Sequence, residues 1–218
     1  MNDFQIDQKE VYRYLGYGQA QADESTIGLV QSCLDQIQDA GIIPHHLAKR
    51  FDLQKDPYGY PLIEGIPLKS DTLAKHLLQC ESAYLLAATL GLSADRILQR
   101  ESRKDMSAAV ILQAVFAVMI ESYCDRVEAD LAQLCRPEGL FLLPRYSPGY
   151  GDFPLTYQKE ILGSLNATKK IGLSYTDSYM LVPTKSVTAV IGLTKEEQGC
   201  HIEKCMVCDD TNCTFRKI

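Results

Sequence analysis

The pattern that most restricts the fold of this chain is a long helical stretch over residues 105–134. Its first half is apolar on almost every side, and a helix of that kind has to be covered by protein on more than one side. We therefore predict that this half lies in the interior. The second half turns polar, and Glu121 stands at the boundary, where a carboxylate lies either beside a pocket or already at the surface. The apolar residues of the first half are Ala109, Leu112, Ala114, Val115, Phe116, Val118, Met119 and Ile120.

Other stretches are predicted to form strands. Residues 81–90 are short and continuously apolar, which favours a buried central strand over a helix. After a break at Pro183, residues 186–191 alternate between two faces, as a strand requires. Residues 42–53 form a strand region and residues 62–68 a short return strand, which suggests a sheet built from local hairpins. The adjacent pair His45-His46 points to opposite faces of a strand, so a polar sheet edge is favoured there over a metal site.

Shorter helices are predicted around these strands, at 7–15, 23–39, 70–78, 93–102 (with Ser93 as the cap) and 155–165. The mixture predicts an α+β fold, a single domain in which a mainly antiparallel twisted sheet is flanked by helices. We place that domain at residues 1–195 and a cysteine-rich C-terminal tail at residues 196–218.

Composition narrows the possible partners. The net charge is −6 and the sequence pI about 5.2, which argues against nucleic acid, because phosphate binding requires a basic face. No apolar run of about 20 residues is evident, so no membrane-spanning helix is expected. The N-terminus lacks the basic and apolar regions of a signal peptide, and a cytoplasmic location is expected. In that compartment the eight cysteines are better interpreted as thiols or metal ligands than as disulfides.

A loop over residues 145–152 is the strongest candidate for a binding site. Pro148 fixes φ, while Gly149 and Gly151 permit positive φ and a close approach of the backbone to a ligand. Arg145 at the entrance can clamp a carboxylate with two parallel hydrogen bonds. The alternative is a structural arginine that ties the loop to an acidic partner within the protein.

The loop and a later segment resemble a known family. The first motif is Arg145-Tyr146-Ser147-Pro148-Gly149-Tyr150. The second is Ser178-Tyr179-Met180-Leu181-Val182-Pro183-Thr184-Lys185-Ser186-Val187, followed by Ile191-Gly192. Together they resemble the activation domain of cobalamin-dependent methionine synthase. The likeness is specific over residues 141–193 and looser over residues 7–135. The chain looks most like the free-standing version of this domain, which is a separate polypeptide.

The resemblance implies the ligand and the partner. Such a domain binds S-adenosylmethionine and docks on a corrinoid-binding methionine synthase protein, where it supports reductive methylation of inactive cob(II)alamin. Arg145 would pair the ligand carboxylate, Tyr150 would orient the loop or face the sulfonium, and Glu121 is the best match for an acidic ligand contact. Main-chain groups of the bend would read the adenine or ribose. The bend residues concerned are Tyr146, Ser147, Pro148 and Gly149.

Two features depart from the family pattern. Gly151 stands where the family has proline, and Gln198-Gly199-Cys200-His201 stands where the family has a pair of tyrosines that line the ligand. The sequence also lacks the Asp-x-His-x-x-Gly pattern that ligates cobalt. The methyl acceptor, a cobalamin, must therefore be held by the partner protein.

The tail carries a second candidate site. The tail has a Cys-x-x-Cys core, Cys205 and Cys208, flanked by Cys200 and Cys213. Four thiolates with this spacing suit a tetrahedral zinc ion or an iron–sulfur cluster. A redox disulfide between Cys205 and Cys208, or free thiols, are the alternatives.

The sequence leaves two functions open besides reactivation with S-adenosylmethionine. One is a binding or sensing module without methyl transfer. The other is an iron–sulfur or zinc accessory protein that transfers electrons to corrinoid enzymes.

Overall fold

The long helix predicted from the sequence is the central helix of one helical layer. In this computed structural model, which describes residues 6–17 and 21–196, helix α5 spans Met106–Cys135. The carboxylate of Asp105 caps its start by accepting hydrogen bonds from the backbone N–H groups of Ser107 and Ala108. The other helices are α1 Gln8–Tyr14, α2 Glu24–Ala40, α3 Asp71–His76, α4 Leu92–Glu101, α6 Gln158–Leu165 and α7 Ala167–Ile171, with 3₁₀ turns at Arg136–Glu138 and Leu155–Tyr157.

Most of the apolar surface of α5 is used inside the protein. By length and composition alone, Met106–Glu138 is apolar enough to cross a membrane, with a mean hydropathy of 1.7 in its most apolar window. However, 61% of that window is buried within the fold. The sequence-based statement that no such apolar run exists was wrong, and the interpretation of α5 as a core helix rests on its burial instead.

In the described part of the chain, the main sheet has four antiparallel strands. Their order is β1 (His45–Asp52), β5 (Ser82–Thr89), β9 (Ser186–Thr194) and β6 (Phe141–Leu142). β5 is a central strand, as its apolar sequence predicted, and it pairs along its full length with β1 on one side and β9 on the other. The strands within the described residues are β1 His45–Asp52, β2 Gln54–Lys55, β3 Pro61–Ile63, β4 Ile66–Pro67, β5 Ser82–Thr89, β6 Phe141–Leu142, β7 Ser174–Tyr175, β8 Leu181–Val182 and β9 Ser186–Thr194.

Alternation along the central strands gives the sheet two buried faces. Leu86 and Ile191 belong to the core shared with α1, α2, α4 and α5, whereas Leu85 and Val190 belong to the core shared with α3, α6 and α7. The sheet therefore lies between two helical layers. The prediction of a mainly antiparallel sheet flanked by helices is confirmed. Residues 197–218 of the predicted tail lie outside the described residues.

Three local predictions need correction. Residues 62–68 do not pair with β1, because β3 and β4 join β2 in a small separate sheet while β1 pairs with β5. Ser93 does not cap α4, which starts at Leu92 after Gly91 without a side-chain cap. The predicted helix at 155–165 begins as a 3₁₀ turn and becomes α-helical only at Gln158.

The two histidines lie on the edge strand β1. Both are exposed, and the Nδ1 atom of His46 lies 2.7 Å from the hydroxyl of Tyr123 on α5. This contact agrees with the interpretation of a polar sheet edge.

Candidate functional site

The loop at 145–152 runs along the edge of β9 just beyond the short strand β6. The N–H of Tyr146 donates to Val190 at 2.9 Å, and the carbonyl of Tyr146 accepts from Val190 at 2.8 Å. Successive residues of an extended segment point to opposite faces. Arg145 accordingly reaches α5 on one face of the sheet, while Tyr146 packs into the core on the other face.

Arg145 meets three carboxylates on one face of α5. Glu121, Asp125 and Glu128 have the spacing that brings side chains together on one side of a helix. Guanidinium atom Nη2 lies 2.5 Å from Glu121 Oε2, and Nη1 lies 2.6 Å from Asp125 Oδ1 and also contacts Glu128. These four side chains are called the Arg145 cluster below.

The exposure of the cluster falls off from one side to the other. The side chain of Arg145 is 14% exposed and that of Glu128 is 20% exposed, whereas Glu121 and Asp125 are 44% and 64% exposed. Burial works against the charged guanidinium, but the fields and hydrogen bonds of Glu128 and Glu121 outweigh it and raise the pKa of Arg145. Arg145 is therefore always charged, and the cluster carries one positive and three negative formal charges.

The structure brings two separately predicted residues, Arg145 and Glu121, into direct contact. The alternative of a structural arginine is also observed, because the guanidinium ties the loop to the acidic side chains of α5. Asp125 and Glu128 were missed. Their spacing from Glu121 on a helix was visible in the sequence, but only the position of Arg145 singles them out.

Helix α1 borders the cluster. Burial raises the pKa of the Tyr14 phenol, and the negative charge of Glu121 raises it further. The guanidinium of Arg13 lies 4.8 Å from the centre of the Tyr14 ring. An aromatic side chain thus stands beside the acidic end of the cluster.

The far end of the loop is fixed to the start of α3. The carboxylate of Asp152 accepts hydrogen bonds from the Ser70 hydroxyl at 2.6 Å, from the N–H of Asp71 at 2.7 Å, and from both the N–H and the hydroxyl of Thr72. Hydrogen bonds from Ser70 and Thr72 hold the pKa of the Asp152 carboxyl well below its usual range. The hydroxyl of Tyr146 donates to Thr72 Oγ1 at 2.6 Å, so the two ends of the bend share one anchor.

The glycine at position 151 is required by this anchor. Its φ is +55°, and an added Cβ would lie 2.7 Å from Tyr146 Oη and 2.9 Å from Thr72 Oγ1. The space that a larger residue would fill is taken by the two hydroxyl groups. The glycine that stands where the methionine synthase activation domain has proline therefore leaves room for the hydrogen bond between Tyr146 and Thr72.

The rest of the bend is partly engaged with itself. The N–H of Gly149 donates to Phe153 at 2.7 Å and that of Tyr150 donates to Ser147 at 3.1 Å. Pro148 is buried, and Tyr150 is 54% exposed with its ring edge-to-face on Tyr146 at 5.3 Å. The N–H and carbonyl of Tyr146 and the N–H of Gly149 are thus hydrogen-bonded within the protein. Fewer main-chain groups of the bend are therefore left for the predicted contacts with adenine or ribose.

The predicted metal ligands of the tail, Cys200, Cys205, Cys208 and Cys213, lie outside the described residues. Within residues 6–17 and 21–196 no group of three or more His, Cys, Asp or Glu side chains has an arrangement that holds a metal ion. The four cysteines in that part of the chain, Cys33, Cys80, Cys124 and Cys135, are buried thiols. Burial raises the pKa of Cys33 and Cys80 to about 11 and that of Cys124 to about 12, so these thiols are protonated at neutral pH.

Comparisons with known proteins identify the fold. No family model matches the chain, and no curated protein gives a significant match. Among solved structures, the MetH reactivation domain bound to AdoHcy is similar, with a TM-score of 0.61 and 15% sequence identity. The similarity covers 84% of this chain and 74% of that chain. The protein shares its fold with that reactivation domain.

Proposed function

We propose that this chain binds S-adenosylmethionine at the Arg145 cluster and acts as a reactivation module for a cobalamin-dependent methionine synthase. The observation that carries the proposal is the contact between Arg145 and Glu121, 2.5 Å apart, at the edge of a fold shared with a domain solved with AdoHcy, S-adenosylhomocysteine. The ligand of the solved domain has the same amino-acid and nucleoside parts as S-adenosylmethionine.

The cluster offers complementary groups for the amino-acid end of the ligand. Its carboxylate would pair with Arg145, and its ammonium would pair with a carboxylate of α5. Asp125 is the most exposed of the three acids, at 64%, so it is the partner that a ligand carboxylate would replace with least rearrangement. The displaced Asp125 and the neighbouring Glu121 would then face the ammonium.

The charge of the cluster favours the methylated ligand. S-adenosylmethionine carries a sulfonium charge that S-adenosylhomocysteine lacks. At roughly 8 Å in a water-like dielectric, a net charge of −2 on the cluster attracts that extra charge by about 1 kcal/mol, which corresponds to roughly fivefold in Kd. The ring of Tyr150 packs on Tyr146, on the other side of the sheet from the cluster, so Tyr150 would orient the loop rather than face the sulfonium.

The chemistry that follows is positioning rather than acid–base catalysis. An electron from a separate donor would first have to reduce the partner's cob(II)alamin to cob(I)alamin, and methyl transfer would then release S-adenosylhomocysteine. The part of this chain would be to hold the sulfonium methyl group in line with the partner's cobalt. The residues of this chain would bind the ligand, fix its orientation and present its methyl group. We propose the free-standing arrangement, in which the corrinoid-binding methionine synthase protein is a separate polypeptide and both act in the cytoplasm.

Calorimetric titration with S-adenosylmethionine tests the proposal. Glu121→Gln should weaken binding by about five- to tenfold, because it removes a charge next to the ligand ammonium. Asp130→Asn removes the same charge from an exposed position on the same helix and should leave Kd within about twofold. The proposed function would be contradicted if Glu121→Gln bound S-adenosylmethionine as tightly as the wild type, or if the wild type did not bind it.

The cysteine spacing of the tail favours a second, separable activity. We propose that Cys200, Cys205, Cys208 and Cys213 hold zinc or an iron–sulfur cluster, and that a cluster at this place would deliver the reducing electron. Protein purified without oxygen should then contain stoichiometric metal, and a Cys205→Ser/Cys208→Ser variant should lose it while still binding S-adenosylmethionine. Metal-free wild-type protein would dismiss this activity without affecting the ligand site.

A further inference from the structure

Helix α4 presents a ridge of positive charge on an acidic protein. Its inner face is formed by the buried residues Ala94, Ile97 and Leu98. Its outer face and the turn that follows carry Arg96, Arg100, Arg103 and Lys104, all exposed. These four side chains, called the α4 ridge, also line a shallow concave surface together with Gln99. Such a concentration stands out on a chain whose net charge is −6.

The acidic residues of the same segment are directed to other parts of the protein. Asp95 accepts hydrogen bonds from the N–H of Thr184 at 3.0 Å and from its hydroxyl at 2.6 Å. Glu101 is only 13% exposed and accepts from Arg100 and from Gln36 on α2. Asp105 is the N-cap of α5. The charges directed toward solvent are therefore mainly the cations.

An apolar strip lies directly beside the α4 ridge. A groove between α4 and α5 contains Leu98, Ala109, Met106 and Val110, and it shares Gln99 with the concave surface of the ridge. Met106 and Val110 are 65% and 53% exposed. Arginine and methionine beside a small apolar surface are the residue types that protein interfaces favour.

We propose that the α4 ridge and the adjoining strip form a docking surface for an acidic segment of another protein, in which carboxylates surround an apolar side chain. Three of the four cations are arginines, whose planar donors match carboxylates with two hydrogen bonds. The apolar strip gives the segment a place for its uncharged side chain, which a purely electrostatic contact with a polyanion does not need. The overall negative charge disfavours extended nucleic acid. The surface lies apart from the Arg145 cluster, so the inference does not depend on the proposed ligand.

A labelled peptide provides a direct test. The probe is a fluorescent peptide of repeated Glu-Glu-Leu triplets, with a twin in which every Glu is replaced by Gln, and binding is measured by anisotropy at low ionic strength. The variant Arg96→Gln/Arg103→Gln/Lys104→Gln removes three charges from the α4 ridge. The matched control, Lys159→Gln/Lys169→Gln/Lys170→Gln, removes three exposed charges from α6 and α7 on the other face of the sheet.

The inference predicts that the acidic peptide binds and its neutral twin does not, and that the ridge variant loses about tenfold in affinity while the control stays within about twofold. Met106→Gln/Val110→Gln should weaken the acidic peptide by about threefold or more with all charges kept. Equal losses in ridge and control variants would overturn the inference, since that result indicates a general charge effect. Stronger binding to a DNA duplex or to anionic lipid vesicles than to the peptide would overturn it as well.

Discussion

Gly151→Ala tests how the candidate site is built. A left-handed φ costs a residue with a Cβ about 1 kcal/mol or somewhat more. The new methyl group would also lie 2.7 Å from Tyr146 Oη and 2.9 Å from Thr72 Oγ1, so the Tyr146–Thr72 hydrogen bond has to give way, at a cost of about 1 kcal/mol. We therefore expect a loss of about 2–3 kcal/mol in the free energy of unfolding.

Two alanine variants elsewhere separate these contributions. Gly41 has a nearly equal φ of +59°, and no heavy atom of the described residues lies within 4 Å of an added Cβ, so Gly41→Ala reports the backbone strain alone, about 1 kcal/mol. Gly163 lies in α6, where an added Cβ would have no contact with the described part of the chain, and Gly163→Ala should stabilise the protein by about 0.5–1 kcal/mol.

Urea denaturation measures all three variants. The reasoning requires Gly151→Ala to have the lowest midpoint of the series at an unchanged m-value. In a Tyr146→Phe background, which removes the nearest atom, the cost of Gly151→Ala should fall by about 1 kcal/mol. A Gly151→Ala protein as stable as Gly41→Ala would refute the account of the shared anchor.

Further expectations concern the core, the acid limb of stability and the ligand. In Gly192→Ala the new methyl group would meet Cys80 Sγ at 2.6 Å and Leu77 Cδ2 at 2.7 Å, and this overpacking should cost about 1–3 kcal/mol by urea denaturation, partly recovered by adding Cys80→Ala. The pKa of Asp152 is lower in the folded than in the unfolded chain, so the carboxylate's contribution to stability is complete above its unfolded pKa of about 4 and is lost as the pH falls below that value. Asp152→Asn should therefore flatten the acid limb of a curve of unfolding free energy against pH. An unchanged acid limb would contradict the assignment. S-adenosylmethionine should bind about fivefold tighter than S-adenosylhomocysteine at low salt, with the difference shrinking as salt screens the cluster; a preference that does not change with salt would point to another cause.

The predictions that succeeded depended on pattern within single segments. α5 was recognised because its apolar residues recur around a helix, and β5 because its apolar run is too short for most helices. The alternation of Thr188 and Val190 against Ala189 and Ile191 placed the two faces of β9 correctly. Such signals lie in sequence periodicity and need no knowledge of neighbours.

The predictions that failed, or stayed incomplete, depended on which segments meet. The period of β1 shows that it is a strand but not that its partner is β5, rather than the nearer residues 62–68. The chemistry of Arg145 predicted a carboxylate partner, but nothing in the sequence around Arg145 indicates that three acids of α5 already surround it. The anchor of Asp152 on α3 likewise joins residues about eighty positions apart in the chain.

The central claim is that the Arg145 cluster holds the amino-acid end of S-adenosylmethionine. Calorimetric titration of Arg145→Lys tests it most directly, because lysine keeps the charge that balances the acids of α5 but lacks the planar pair of donors. The account predicts a stable, folded variant whose affinity for S-adenosylmethionine falls by about tenfold or more. A variant that binds S-adenosylmethionine as tightly as the wild type would show that Arg145 serves only to tie the loop to α5, and would contradict the account.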